Sequence, residues 1–116
     1  MKIIVGHTNM DMDCLSSIAL AKLLYPDHQM VKSRFIHPVV RDFYNLYDSY
    51  FDFLTVKDIK NAVVEELIVV DTRSSKRIDE YLKVIDGKPG RIIVYDHHPS
   101  DSYDLDADLT HYNDFG

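Results

Sequence analysis

Three short runs of aliphatic and β-branched residues, Lys2–Val5, Leu67–Val70 and Arg91–Tyr95, constrain this chain more than any other feature. None alternates apolar with polar positions, so each reads as a strand covered on both faces. The segments between them carry helix-period patterns. Buried strands alternating with helices require an α/β architecture, here a doubly wound, mostly parallel sheet with helices on both faces. The length of 116 residues suits one domain spanning 1–116.

The first helix is expected from Asp13 or Cys14 to about Tyr25, where Pro26 stops it. Leu15, Ile18, Ala19 and Leu23 form one face, which Leu20 and Leu24 widen. A helix apolar over so much of its surface is expected to pack into the sheet rather than lie outside it. Gln29–Ser33 reads as a short second strand. A helix from Val39 to about Tyr50 follows, with Pro38 near its first position and Phe43, Leu46, Tyr47 and Tyr50 on one face as a core stripe. Thr55 caps a brief helix reaching Ala62. Ser74 or Ser75 caps another, containing Ile78, Tyr81, Leu82 and Ile85 and closed by Gly87. A last short strand is expected around Leu109–Tyr112. The chain stops at Gly116 with no terminal cap, so the expectation is a fragment of something longer.

Each of the three buried strands ends in a polar cluster: His7, Asp11 and Asp13 after the first, Asp71 after the second, Asp96, His97 and His98 after the third. In a doubly wound sheet the carboxyl ends lie along one edge, where ligands bind. The clusters therefore converge. Crowded carboxylates repel one another unless positive charge offsets them, which points to a bound cation. Several imidazoles with four carboxylates favour hard or borderline divalent ions such as Mn²⁺, Co²⁺ or Mg²⁺, and zinc stays open. The donors exceed what one ion needs. Two ions about 3.5–4 Å apart, clamping the oxygens of a phosphoryl group, would use them all.

Each residue also has a plainer explanation. Asp13 suits a helix cap, Asp71 a turn after a strand, and His7 an ordinary loop position. The coincidence of all of them at one sheet edge favours the site. His28, His37 and His111 read as ordinary, and Cys14 reads as core because nothing orients a base toward it.

Composition narrows the classes further. Sixteen Asp against three Glu is an excess suited to loops, caps and metal ligation. The net charge of −6 argues against a broad nucleic-acid surface but leaves room for a local basic groove. A single cysteine and the absence of a leader or a long apolar run point to the cytoplasm and away from membranes. The four glycines are scattered, so no phosphate-cradling loop of the P-loop or dinucleotide type is present.

His7-x-x-x-Asp11-x-Asp13, then Val69-Val70-Asp71-Thr72-Arg73, then Asp96-His97-His98-Pro99 resembles the first three motifs of the DHH phosphoesterase superfamily. That superfamily includes manganese-dependent inorganic pyrophosphatases, exopolyphosphatases, single-strand exonucleases and oligoribonucleases. Gly6 to Asp11, with Ser33-Arg34-Phe35-Ile36-His37-Pro38, looks most like the DHH module of larger proteins. Those proteins also carry CBS domains and a tRNA nucleotidyltransferase or poly(A) polymerase-like region.

The resemblance implies that His7 and Asp11 hold one Mn²⁺, Asp13 and His97 a second, and that Asp71 bridges the two. It implies that His98 faces the substrate as a hydrogen-bond donor or general acid and that Asp96 steadies a histidine. Arg73 and Arg34 are its candidates for phosphate oxygens, with a surface role for each left open. The implied substrate is a phosphate-containing small molecule, a nucleotide or a short single-stranded nucleic acid. The superfamily's fourth motif and its substrate-presenting C-terminal domain are expected beyond Gly116, so this chain alone is expected to bind metal yet turn over poorly. A non-catalytic nucleotide- or metal-sensing module is the alternative from another class. A phospho-receiver domain is a third reading, but it needs a Lys after a late strand that is not found and it gives His97 and His98 no role.

Overall fold

The computed structural model describes residues 1–72, 74–96, 105 and 109–112, with residues 47–48 and 109–112 described as backbone alone. Five strands form one sheet: β1 (Lys2–Val5), β2 (Gln29–Met30), β3 (Glu66–Val70), β4 (Arg91–Asp96) and β5 (Leu109–Tyr112). They lie in the order β2-β1-β3-β4-β5, and every pairing is parallel. The chain steps outward from β1 to β2, then crosses back to lay β3 on the other side of β1. The order reverses between β1 and β3, and that seam is where this topology opens its ligand crevice.

Helices cover both faces, as expected. On one face α1 (Met12–Leu24) and α2 (Pro38–Tyr47) cover Ile4, Ile68, Val70 and Ile93. On the other, the 3₁₀ turns Val56–Ile59 and Ser75–Ile78 and the short α3 (Asp79–Leu82) cover Ile3, Val5, Leu67, Val69 and Val94. Successive residues of β1 and β3 point into opposite clusters, which is why their sequences are apolar without a break. The segments expected to be helices from Thr55 and from Ser74 or Ser75 are thus mostly 3₁₀ turns. At the first, the Asp58 carboxylate accepts from the Thr55 backbone N–H at 2.7 Å and from its hydroxyl at 3.0 Å. Ile78, Tyr81 and Ile85 are buried as expected, and Gly87 turns the chain at φ +72°.

Two helix faces differ from expectation. α1 does not bury its whole apolar surface: Cys14, Leu15, Ile18 and Ala21 face the sheet, whereas Leu20, Leu23 and Leu24 are exposed. An apolar pattern running all round a helix cannot say which side meets the sheet. Close approach to β1 decides it. A Cβ placed on Gly6 would lie 2.1 Å from Cys14 Sγ and 3.3 Å from Ile18 Cδ1, so the helix seats where Gly6 admits it. In α2 the buried residues are Val40 and Tyr44, while Leu46 and Tyr50 are largely exposed and Phe43 is exposed over about a third of its surface. Tyr44 wins because Phe51 stacks on its ring at 5.9 Å, Phe53 meets it edge-on at 5.7 Å and Lys32 lies over it at 4.6 Å. Among the described residues no helix is long and apolar enough to cross a membrane.

Candidate metal centre

The register of the central strands sets the site. Val5 pairs with Val69, so His7 and Asp71, each two residues further on, stand level across the β1/β3 seam. His7 is buried and its Nε2 lies 3.1 Å from Asp71 Oδ2. Asp11 Oδ1 is 3.7 Å from the same nitrogen. The first two sequence clusters therefore meet around one imidazole edge.

Backbone geometry holds each group in place. The His7 ring pairs through Nδ1 with the carbonyl of Thr8 at 2.9 Å. That bond places a hydrogen on Nδ1, and Nε2 is left as the nitrogen that faces the carboxylates. Thr8 is itself anchored, its N–H and hydroxyl both donating to Arg77 O at 2.7 and 3.0 Å. Asn9 adopts a left-handed backbone at φ 62°, which Asn tolerates, and lets Met10 turn inward to pair with Ile36. Asp11 is the N-cap of α1, accepting the Cys14 N–H at 2.9 Å. Asp71 also sits at a left-handed φ, 61°, while its N–H still donates to Tyr95 O at 3.0 Å. A non-glycine residue in that region at the end of a core strand stores backbone strain of the kind found at functional sites.

A lone pair on Nε2 aimed at two carboxylates is repulsive unless a proton or a cation lies between them. In the protein without metal a proton serves. Burial opposes charge on His7, but the hydrogen bond to Asp71, helped by the Thr8 carbonyl, outweighs it and raises the pKa above the ordinary 6.5. The donor set fits a cation equally well: one imidazole nitrogen and carboxylate oxygens, with the other ring nitrogen fixed by a backbone carbonyl.

The remaining expectations divide. Asp13 lies in the first turn of α1 and is exposed, and the cap is made by Asp11 instead. Asp96 ends β4 at the same sheet edge and is buried. Arg73, His97 and His98 lie outside the described residues. His28 is structural: buried beside Tyr25, it pairs with Glu66 at 2.8 Å near the opposite edge.

Cys14 was not expected at the site. It is core, as read, yet its sulfur belongs with ligand atoms of His7 and Asp71 to a group lying within 4.8 Å of one another. Burial pushes its thiol up to about 12, so it is neutral at ordinary pH unless a cation draws the proton off. A sulfur among the donors softens the preference for hard ions inferred from imidazoles and carboxylates alone. Nothing in the sequence marked it, since Cys14 stands among the apolar residues of α1 and only the packing of that helix on β1 brings the sulfur beside His7.

A wholly parallel sheet with an imidazole facing carboxylates across its switch point defines an α/β protein with a cation-type donor cluster at the ligand crevice. The model of the DHH family, N-terminal domain, matches residues 2–115, and the chain belongs to that family. Membership of that family points to a metal-dependent phosphoesterase module. The A-adding tRNA nucleotidyltransferase of Geobacter sulfurreducens is similar to the chain, 34% identical over 107 residues that make up 90% of it. The chain spans only 12% of that relative's length.

Proposed function

We propose that this chain is a metal-dependent phosphoesterase module that hydrolyses a phosphodiester, a phosphoanhydride or a nucleotide phosphate. The observation that carries the reading is the meeting of His7 and Asp71 at the β1/β3 seam, with Nδ1 of the imidazole already committed to a carbonyl. His7, Asp11 and Asp71 would hold one ion. Asp13 and His97 would complete a second, with Asp71 shared. Divalent ions of the Mn²⁺ type, with Mg²⁺ or Co²⁺ as substitutes, supply charge neutralisation and an acidified water when bound.

The chain's own residues do the positioning. The Thr8 carbonyl orients the His7 ring, and the α1 cap holds Asp11 toward it. The strained turn at Asp71 aims its carboxylate across the seam. His98 would donate to a phosphate oxygen or to the leaving group, and Arg73 would bind phosphate. Asp96, buried at the end of β4, would steady the neighbouring histidine.

The test is Asp71→Asn in the full-length protein, because Asn tolerates the left-handed backbone while removing the charge. Mn²⁺-dependent release of phosphate or nucleotide should fall at least about a hundredfold, beyond the roughly 10–100-fold range for residues behind the ligands. Undiminished release in that variant would remove the mechanism. A second reading, a non-catalytic nucleotide- or metal-sensing module, is favoured by one fact: the nucleotidyltransferase relative is 88% made of sequence this chain does not cover, the complement of the 12% it does. Tight nucleotide binding with no hydrolysis under any divalent ion would select it.

A further inference from the structure

Four cations meet in one place on this acidic chain. Lys32, Arg34, Lys57 and Lys60 line a groove of about 650 Å³ together with Val56 and Val84, Lys32 with its ammonium also lying over the Tyr44 ring. It runs between the 3₁₀ turn Val56–Ile59 and the segment after α3. The chain has 13 basic against 19 acidic residues, yet no Asp or Glu among the described residues lines this groove. The nearby Asp58 carboxylate accepts from Thr55 and is also attracted by Lys32. We propose that this groove binds the backbone of a single-stranded nucleic acid and leads it toward His7.

Continuity with the site supports the direction. Arg34 also lines an adjoining cleft that reaches Thr8, the residue after His7. In that cleft Phe35 is 59% exposed, a ring presented for stacking beside a guanidinium. The two acids there are occupied: Asp79 pairs with Lys83 at 2.7 Å, and Glu80 accepts from the Ser33 hydroxyl and from the Arg34 N–H. Ile36, Val56 and Val84 beside the cationic side chains suit bases and sugars on the first and phosphates on the second. The volume falls among small-ligand clefts of roughly 300–1,000 Å³. An acidic peptide would match the cations and leave the apolar lining and Phe35 unused. As a statement about substrate this rests on the phosphoesterase reading, whereas binding alone does not.

The experiment is photo-crosslinking of a short oligouridylate carrying 4-thiouridine to the full-length protein in EDTA, with adducts mapped by mass spectrometry. Adducts are expected in the peptides spanning 32–36 and 57–60. Lys57 and Lys60 are both exposed, so the double change Lys57→Glu, Lys60→Glu leaves the core untouched. It should cut those adducts about tenfold or more and lower the salt slope of binding by about 1.4, roughly 0.7 per phosphate contact on a single strand. Asp71→Asn should crosslink like the native protein, which separates this result from loss of hydrolysis. The proposal is overturned by a lack of adducts in both peptides, by indifference to the charge reversal, or by loss of adducts in Asp71→Asn. Competition by polyglutamate as effective as by unlabelled oligonucleotide overturns it equally.

Discussion

His7 is constrained at both ring nitrogens, and this makes its protonation a sensitive reporter. With metal removed, its pKa in the folded protein lies above the ordinary 6.5 because of the Asp71 carboxylate. A raised pKa contributes stability that is fully present below pH 6.5 and is lost as pH rises through the folded value. The difference in urea midpoint between the native protein and His7→Gln, both in EDTA, should therefore shrink from the acid to the alkaline side. A difference that stays flat or grows with pH would contradict the His7–Asp71 pairing. A cation competes with the same proton, so metal affinity should climb over the same range. His7, Asp11 and Asp71 were legible as a set because their spacing after apolar runs marks strand ends. Cys14 was not, because its apolar neighbours say core and only the packed geometry brings its sulfur to the ligands.

Between elements the decisive contact is α1 against β1. Gly6 carries no Cβ, and Cys14 Sγ occupies the space one would fill. Gly6→Ala should destabilise the protein by about 1–3 kcal/mol through overpacking and displace the His7 loop. Adding Cys14→Ala should recover much of that loss, since the 2.1 Å clash is with the sulfur and the remaining approach, 3.3 Å to Ile18, is far milder. Denaturation of the four proteins of this cycle measures the coupling, and simple additivity would show that the helix does not seat on Gly6. The strands β1, β3 and β4 were readable from sequence to within a residue, because two-sided burial leaves an unbroken apolar run, whereas β2 ends at Met30, three residues short of the expected Ser33. Helix faces were not. α1 and α2 each offer more than one apolar stripe, and the choice falls to Gly6 in one case and to the Tyr44–Phe51–Phe53 cluster in the other.

At the scale of the molecule, His7 and Asp71 are 64 residues apart in the chain and belong to adjacent strands. An ion held by both would tie β1 to β3 in the folded state alone. Mn²⁺ at about a hundred times its dissociation constant should stabilise this domain by about 2.7 kcal/mol. Asp71→Asn should abolish most of the rise in melting temperature, and an equal rise in both proteins would place the ion elsewhere. The same sheet explains where the acidic balance is broken. Loops after β2 and the 3₁₀ turn beyond it bring Lys32, Arg34, Lys57 and Lys60 to one groove, although they are scattered along the sequence.

By itself the sequence determined the alternation of strand and helix, the parallel sheet, and the strand-end residues at its carboxyl edge, because burial on two faces and polar strand ends leave a local imprint. Only the tertiary structure decided which helix faces are buried, that Asp11 rather than Asp13 caps α1, that Cys14 joins His7 and Asp71, and that four distant cations share a groove. Each of those depends on a contact between residues far apart in the chain, and a linear pattern carries no term for the distance between them.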